Sequence, residues 1–356
     1  MTEISRRAFV LKAGAGVMAL NASIMLGGCT TPIPAVAPMA FDPAIHVDPE
    51  LRGAVPMMQK IAAHPISSQT LEQARKGVFD FPLLPKPQWM ERMIAGPSGA
   101  DSLRIYAVNA TGDKLRPAIL HTHGGGFVIG TAKSSLRSLQ ELALALDCVI
   151  VTVDYRLAPE TPFPGSLEDN YVGLKWLYNN AVELGVDRSR IAVMGESAGG
   201  GHAAMLAIAA RDRGEVPLVF QALIYPMLDD RTGSTRAVPP HIGTLIWTSQ
   251  SNRFGWSSLL GVPAGSRKIP YGAVPARVEN LRNLPPAFIG VGSIDLFVQE
   301  DIAYAGRLID AGVPTELNVV PGAFHGFEVA VPKATVSKQF KAALNSALTR
   351  AFERKA

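Results

Sequence analysis

Gly195-Glu196-Ser197-Ala198-Gly199 decides how this sequence folds. The apolar run Ile191-Ala192-Val193-Met194 leads into it, and an Ala-rich run ending at Ala210 leads out. That order reads as strand, sharp turn, helix. In this context a Gly-x-Ser-x-Gly pentapeptide predicts a nucleophile elbow, with Ser197 pushed out at the carboxyl end of the strand and a helix N-terminus behind it. Glycine suits both flanking positions, because a side chain there would collide with the neighbouring strand or helix as the backbone doubles back. The pentapeptide alone equally fits a small-residue turn closing any β-α unit.

Three further stretches favour the elbow. His123-Gly124-Gly125-Gly126-Phe127 follows the strand-like Ala118-Ile119-Leu120. Asp295 sits just past Ala287-Phe288-Ile289-Gly290-Val291, and His325 lies in Phe324-His325-Gly326-Phe327. Ser, Asp and His thus come in the chain order of an α/β-hydrolase triad. Together with Tyr155-Arg156-Leu157-Ala158-Pro159-Glu160 and Pro162-Phe163-Pro164, these motifs resemble the hormone-sensitive-lipase family (bacterial family IV) of α/β-hydrolase esterases, from about Phe79 to the C-terminus. The resemblance implies an α/β-hydrolase fold: a mostly parallel central sheet flanked by helices, with a helical cap.

Working outward from the elbow, strand and helix patterns alternate on both sides. Trp89 to Ala95 and Leu103 to Asn109 flank a Gly/Pro/Ser turn and predict an antiparallel pair. Pro117 to Thr122 and Cys148 to Val153 read as strands, with a helix ending at Leu146 between them and another over Asp169 to Leu184. The strands at Phe220 to Tyr225, Ala287 to Gly292 and Glu316 to Val320 follow, with a helix over Gln299 to Ala311 and a last one over Val336 to Phe352. Continuous apolar strands imply a parallel sheet covered on both faces. The domain is therefore expected over residues 88–226 and 284–356. Residues 227–283, rich in Gly, Pro and Ser and carrying Trp247, Phe254 and Trp256, are too long for an ordinary connection; the resemblance makes them a cap insertion. Residues 44–87 hold two short amphipathic pieces, Met57 to Ala63 and Thr70 to Lys76, preceded by a helix-start signal at Asp48-Pro49-Glu50 and interrupted at Pro56. The resemblance makes them cap helices; plain packing helices fit the residues as well.

Residues 1–28 read as an export signal rather than as fold. Arg6-Arg7 precede an uncharged run from Ala13 to Leu26 that is too short and Gly/Ala-rich to span a membrane. Leu26-Gly27-Gly28-Cys29 resembles a lipobox, which would place a lipid on Cys29 and make residues 29–43, rich in Pro and Ala, a tether. Ala35-Val36-Ala37 is a competing cleavage site, weakened by Pro38. The expectation is a periplasmic protein or a lipoprotein held at the membrane through Cys29. The whole chain carries a formal charge of +4; without residues 1–28 it has 31 basic against 29 acidic residues. With no Lys/Arg cluster, no nucleic-acid partner is expected. Cys148, in an apolar strand pattern, reads as a small buried hydrophobe.

The chemistry follows from the needs of an ester carbonyl: a nucleophile stronger than a free hydroxyl, a proton carrier, and donors for the developing oxyanion. Ser197, His325 and Asp295 fill the first two needs. The resemblance assigns the oxyanion donors to the backbone N–H groups of Gly124, Gly125 and Ala198. Glu300 and Asp301 are rival acids, explained instead as first-turn carboxylates of the next helix. His202, inside the elbow helix, reads as structural. His121 and His123 share a strand face and raise a metal reading, but no further ligand follows at metal spacing. No cofactor is expected, and the partner is a small-molecule ester of short to medium acyl chain, the chain length resting on the resemblance. The same triad serves an amide, carbamate or lactone hydrolase, and the scaffold also serves non-catalytic binders or sensors.

Overall fold

A computed structural model describes residues 43–77, 81–97 and 102–353. The expected signal, Cys29 and nearly all of the tether lie outside the described residues. Eight strands form one sheet: β1 (Trp89–Ile94), β2 (Leu103–Val108), β3 (Arg116–Thr122), β4 (Val149–Val153), β5 (Val186–Glu196), β6 (Phe220–Ile224), β7 (Ala287–Gly292) and β8 (Thr315–Val320). Their spatial order is β1-β2-β4-β3-β5-β6-β7-β8. The β1–β2 and β2–β4 pairings are antiparallel, and every pairing from β4 to β8 is parallel.

The central strands are buried along their whole length, because helices cover both faces. Side chains alternate between two cores. Ala118, Leu120, Ile191 and Val193 face one core, shared with α4 (Gly165–Asn179), α6 (Ala198–Arg213) and α8 (Val298–Asp310). Ile119, Ala192 and Met194 face the other, packed by α3 (Leu136–Leu146) and α10 (Thr335–Glu353). Cys148 is fully buried, and burial pushes its thiol up to about 12, as an inert core residue requires.

Several boundaries differ from the sequence reading for identifiable reasons. The helix expected near Asp169 starts at Gly165 and stops at Asn179, with a separate turn, α5 (Ala181–Leu184), before the left-handed Gly185. No helix starts at Asp48: its carboxylate instead caps a local turn through the Glu50 N–H. The first α-helix, α1 (Val55–Ala62), takes Pro56 into its first turn, where a missing N–H costs nothing. The second N-terminal helix, α2, covers Leu71–Lys76. Inside residues 227–283 the regular elements are α7 (Ser249–Leu260), capped by the Thr248 hydroxyl, and one 3₁₀ turn over Pro275–Arg277. A one-turn helix, α9 (Phe327–Ala330), follows His325.

Candidate active site

Ser197 stands between β5 and α6 with φ 58° and ψ −122°, a conformation that costs a non-glycine residue about 1–3 kcal/mol. The surroundings impose it. The Ser197 N–H donates to Ile224 O (2.9 Å), and its carbonyl accepts from Gly201 and Met227. A methyl at Gly195 would stand 2.4 Å from the Gly199 backbone, and one at Gly199 only 2.0 Å from Thr122 O. The Thr122 hydroxyl donates to Gly199 O at 2.6 Å, which fastens the two sides of the turn.

Two loops at the carboxyl ends of β7 and β8 bring the acid and the imidazole to this hydroxyl. The loops are stitched together. Ser293 N–H donates to Val320 O, Ile294 N–H to Ala323 O, and Gly322 N–H to the Ser293 hydroxyl. His325 Nε2 lies 2.9 Å from Ser197 Oγ, and His325 Nδ1 lies 2.8 Å from Asp295 Oδ2. A carboxylate only accepts, so Nδ1 carries the proton, and Nε2 is left to accept from the serine hydroxyl. Asp295 is almost completely buried, and its second oxygen accepts the Phe297 N–H at 3.0 Å. Tyr225 and Phe297 pack edgewise on the His325 ring at 4.7 and 5.3 Å, so the imidazole is held on its faces as well as at both nitrogens.

The glycine loop after β3 closes the site from the other side. A methyl on Gly124 would lie 3.5 Å from Ser197 Cβ and 3.0 Å from Glu196 O. Gly125 has φ +124° and Gly126 φ +59°, both in the region that favours glycine. Val128 and Ile129 N–H groups both turn back onto Gly125 O. The N–H groups of Gly124 and Gly125 donate to no acceptor among the described residues. Ala198, whose N–H belongs to the open first turn of α6, is on the serine side of the same space.

Residues 119–329 match a family of α/β-hydrolase fold. Esterase LipI of Mycobacterium tuberculosis is 35% identical over 276 residues, covering 74% of this chain and 84% of that protein. Carboxylesterase NlhH of the same species is 35% identical over 257 residues, or 71% and 80% of the two chains. Among solved structures, a bacterial heroin esterase superposes with a TM-score of 0.78 at 34% identity, covering 88% of this chain and 100% of that one. The chain belongs to the hormone-sensitive-lipase family of α/β-hydrolase esterases.

The remaining candidates in this esterase have protein partners. His121 is fully buried between the Glu196 carboxylate (Nε2, 2.9 Å) and the Thr152 hydroxyl (Nδ1, 2.8 Å). Glu196, whose role the sequence left open, therefore anchors the residue before Ser197 to the carboxyl end of β3. His123 stacks on Tyr155 at 4.1 Å, donates from Nδ1 to Gly124 O at 2.8 Å, and has its own carbonyl held by the Tyr155 hydroxyl. Burial lowers its pKa to about 4, so the ring stays neutral while it holds the glycine loop. The two histidines of the metal reading are thus tied to different groups. His202 is buried against Ser166 Oγ at 2.9 Å, with its pKa lowered by burial to about 3.

Glu300 and Asp301 do lie in the first turn of α8, but both are fully buried. Glu300 accepts the N–H groups of Leu228 and Asp229 at 2.7 and 3.0 Å, which ties the start of the 227–283 segment to α8. Burial raises both carboxyls well above the ordinary range. Neither histidine nitrogen of residue 325 contacts them; Asp295 takes that place. Trp247 supplies an element the composition could not locate. Its ring tip lies where a methyl on Gly126 would be, 2.0 Å from the indole Cη2, while its Nε1 donates to Asn252 Oδ1. Trp256, by contrast, is fully buried against Phe127, a core residue.

Proposed function

We propose that the esterase cleaves carboxylic esters of short to medium acyl chain through an acyl-serine intermediate. The observation that carries this reading is the single line of contacts from Asp295 through both nitrogens of His325 to the Ser197 hydroxyl. His325 takes the serine proton as Oγ attacks the ester carbon, and then returns it to the leaving alcohol. Asp295 holds the tautomer and stabilises the imidazolium formed during attack. Water, deprotonated by His325, then releases the acid and restores the serine. Negative charge on the tetrahedral oxygen is met by the N–H groups of Gly124, Gly125 and Ala198. Their fixed positions matter because donors that need no reorganisation during reaction stabilise the transition state selectively. The preference for shorter acyl chains rests on the family likeness, and the Trp247 ring beside Gly126 is consistent with it, as an apolar wall next to the reacting carbonyl.

In the same reading, residues 44–87 and 227–283 form the cap over this site. Residues 1–28 are an export signal, and Cys29 carries the lipid that holds residues 29–43 at a membrane. Mass analysis of the N-terminal peptide from membrane-fraction protein tests that part: a diacylated Cys29 supports it, and an unmodified mature terminus elsewhere rejects it. The catalytic part is tested by Ser197→Ala with p-nitrophenyl butyrate. Hydrolysis disappears while circular dichroism and melting stay close to wild type. Turnover that persists in that variant contradicts the reading.

A further inference from the structure

We infer that Arg75, on the N-terminal helix α2, is a positioning residue that sets the glycine loop from outside the sheet; the inference rests on the proposed use of that loop for the oxyanion. Its guanidinium spends four N–H bonds on one small region. Nε donates to Val128 O at 2.9 Å and Nη2 to Ala158 O at 3.0 Å, while Nη1 and Nη2 take the two oxygens of Glu160 at 2.8 and 2.7 Å. Val128 is one of the two residues whose N–H turns back onto Gly125 O, and Ala158 N–H donates to Phe127 O. Arg75 therefore grips the outgoing limb of the glycine turn and the segment paired with it. Both carbonyls belong to buried residues and accept no other hydrogen bond from the described residues.

The apolar side of the same contact repeats the arrangement. Leu71, Val128 and Ala158 form a small core of their own, separate from the two cores of the sheet, with Ile66, Ile129 and Phe254 packed around it. It joins α2, the glycine loop and α7, and Ile66 N–H donates to Ser251 Oγ on α7 at 3.0 Å. His123 and the buried Phe127 ring hold the near limb of the loop, but its glycines supply no side chains, so the limb at Val128 depends on α2 for its contacts. The planar fork explains the choice of arginine: a lysine is a point donor and cannot reach two carbonyls and a carboxylate together. The Glu160 partner, lowered to about 2 chiefly by the hydrogen bonds from Arg75, keeps its charge throughout the range in which an esterase is assayed.

The test compares Arg75→Ala, Arg75→Lys and Glu160→Gln in the full chain, using p-nitrophenyl butyrate and a butylboronic acid, which forms a tetrahedral adduct on an active serine. A displaced oxyanion donor removes stabilisation made only in the transition state, so kcat falls about tenfold or more in Arg75→Ala with KM changed by less than about twofold. Boronate affinity falls by the same factor as kcat/KM. Arg75→Lys stays close to the alanine variant, and Glu160→Gln, which keeps the contacts to Val128 and Ala158, loses less. If Arg75→Ala does not fold, Arg75→Lys is judged by the same measurements. An unchanged kcat per titrated site, whether KM rises or only melting falls, overturns the inference. Failure of the functional reading looks different: there the wild-type protein itself forms no boronate adduct and Ser197→Ala remains active.

Discussion

The elbow and the glycine loop face the same hydroxyl, yet they are held in opposite ways. The elbow is fixed from within: Ile224, Met227 and Thr122 clamp its backbone, and all of them belong to the sheet or run directly off it. The glycine loop has core anchors in His123 and Phe127, but much of its hold comes from outside the sheet. Trp247 fills the space beside Gly126, Gly255 of α7 approaches Gly126 O so closely that a methyl there would stand 2.5 Å away, and Arg75 holds Val128. The position of Ser197 is thus a property of the core, whereas the glycine loop depends also on segments appended to it. Changes to the elbow's glycines should cost folding and chemistry together, and changes around the loop should cost chemistry with less loss of stability.

The largest expected effects fall on the chemistry itself. Ser197→Ala or His325→Ala lowers kcat by at least about 10⁴-fold, and Asp295→Asn by about 10⁴, through loss of the correct tautomer. Steady-state assay with an aryl ester checks these, and a loss of only a few-fold in any of them breaks the assignment. The contrast between the two regions is sharpest at their glycines. Gly199→Ala drives a methyl against Thr122 O and should cost about 3 kcal/mol or more of stability, read by urea unfolding. Gly125→Ala meets Ile129 O at 2.0 Å in a smaller, more exposed turn, and should lose about 10²–10³ in kcat with a lesser drop in stability. Equal stability losses for the two would erase the distinction. A milder change, Trp247→Phe, removes the hydrogen bond to Asn252 and should cost about 1 kcal/mol, with a few-fold shift of preference toward longer acyl chains.

An effect on stability alone, with no bearing on the chemistry, is a pH dependence from the buried, neutral histidines. His202 has a folded pKa of about 3, below its unfolded value, so between about pH 6.5 and pH 3 the unfolded chain binds the extra proton and stability declines as pH falls. The limit is about 1.4 kcal/mol per pH unit for one such group. The buried Glu300, Asp301 and Glu328 carboxyls are raised and act in the opposite direction, losing stability as pH rises. The difference between wild type and His202→Gln isolates the histidine: the variant should lose less stability between pH 6.5 and 4.5, and parallel curves would contradict the assignment.

The fold was legible because its signals are local and repetitive. Runs such as Ile191-Ala192-Val193-Met194 and Cys148-Val149-Ile150-Val151 have no polar face and fit only strands covered on both sides. Ser197, Asp295 and His325 were legible through order and flanking glycines, and the structure places both Ser197 and Asp295 within hydrogen-bonding distance of His325. What stayed hidden depends on long-range pairing. Nothing in the sequence joins Glu196 to His121, 75 positions away, or Arg75 to Glu160, 85 positions away. Glu300 and Asp301 read as first-turn acids, and their burial stayed hidden because helix position says nothing about which face is covered. Trp247 was visible as an aromatic in an irregular segment, but its seat against Gly126 follows from the path of a segment without periodicity to read.

The central claim is that one hydroxyl, at residue 197, is made nucleophilic by its neighbours and attacks a carbonyl or its analogue. Mass spectrometry of the protein treated with a p-nitrophenyl alkylphosphonate tests it most directly. The account predicts one phosphonyl group per chain, located on the peptide containing Ser197, with p-nitrophenol released in equal amount and no adduct in His325→Ala on the same timescale. An adduct on another residue, or an unmodified protein that still hydrolyses esters, would contradict it.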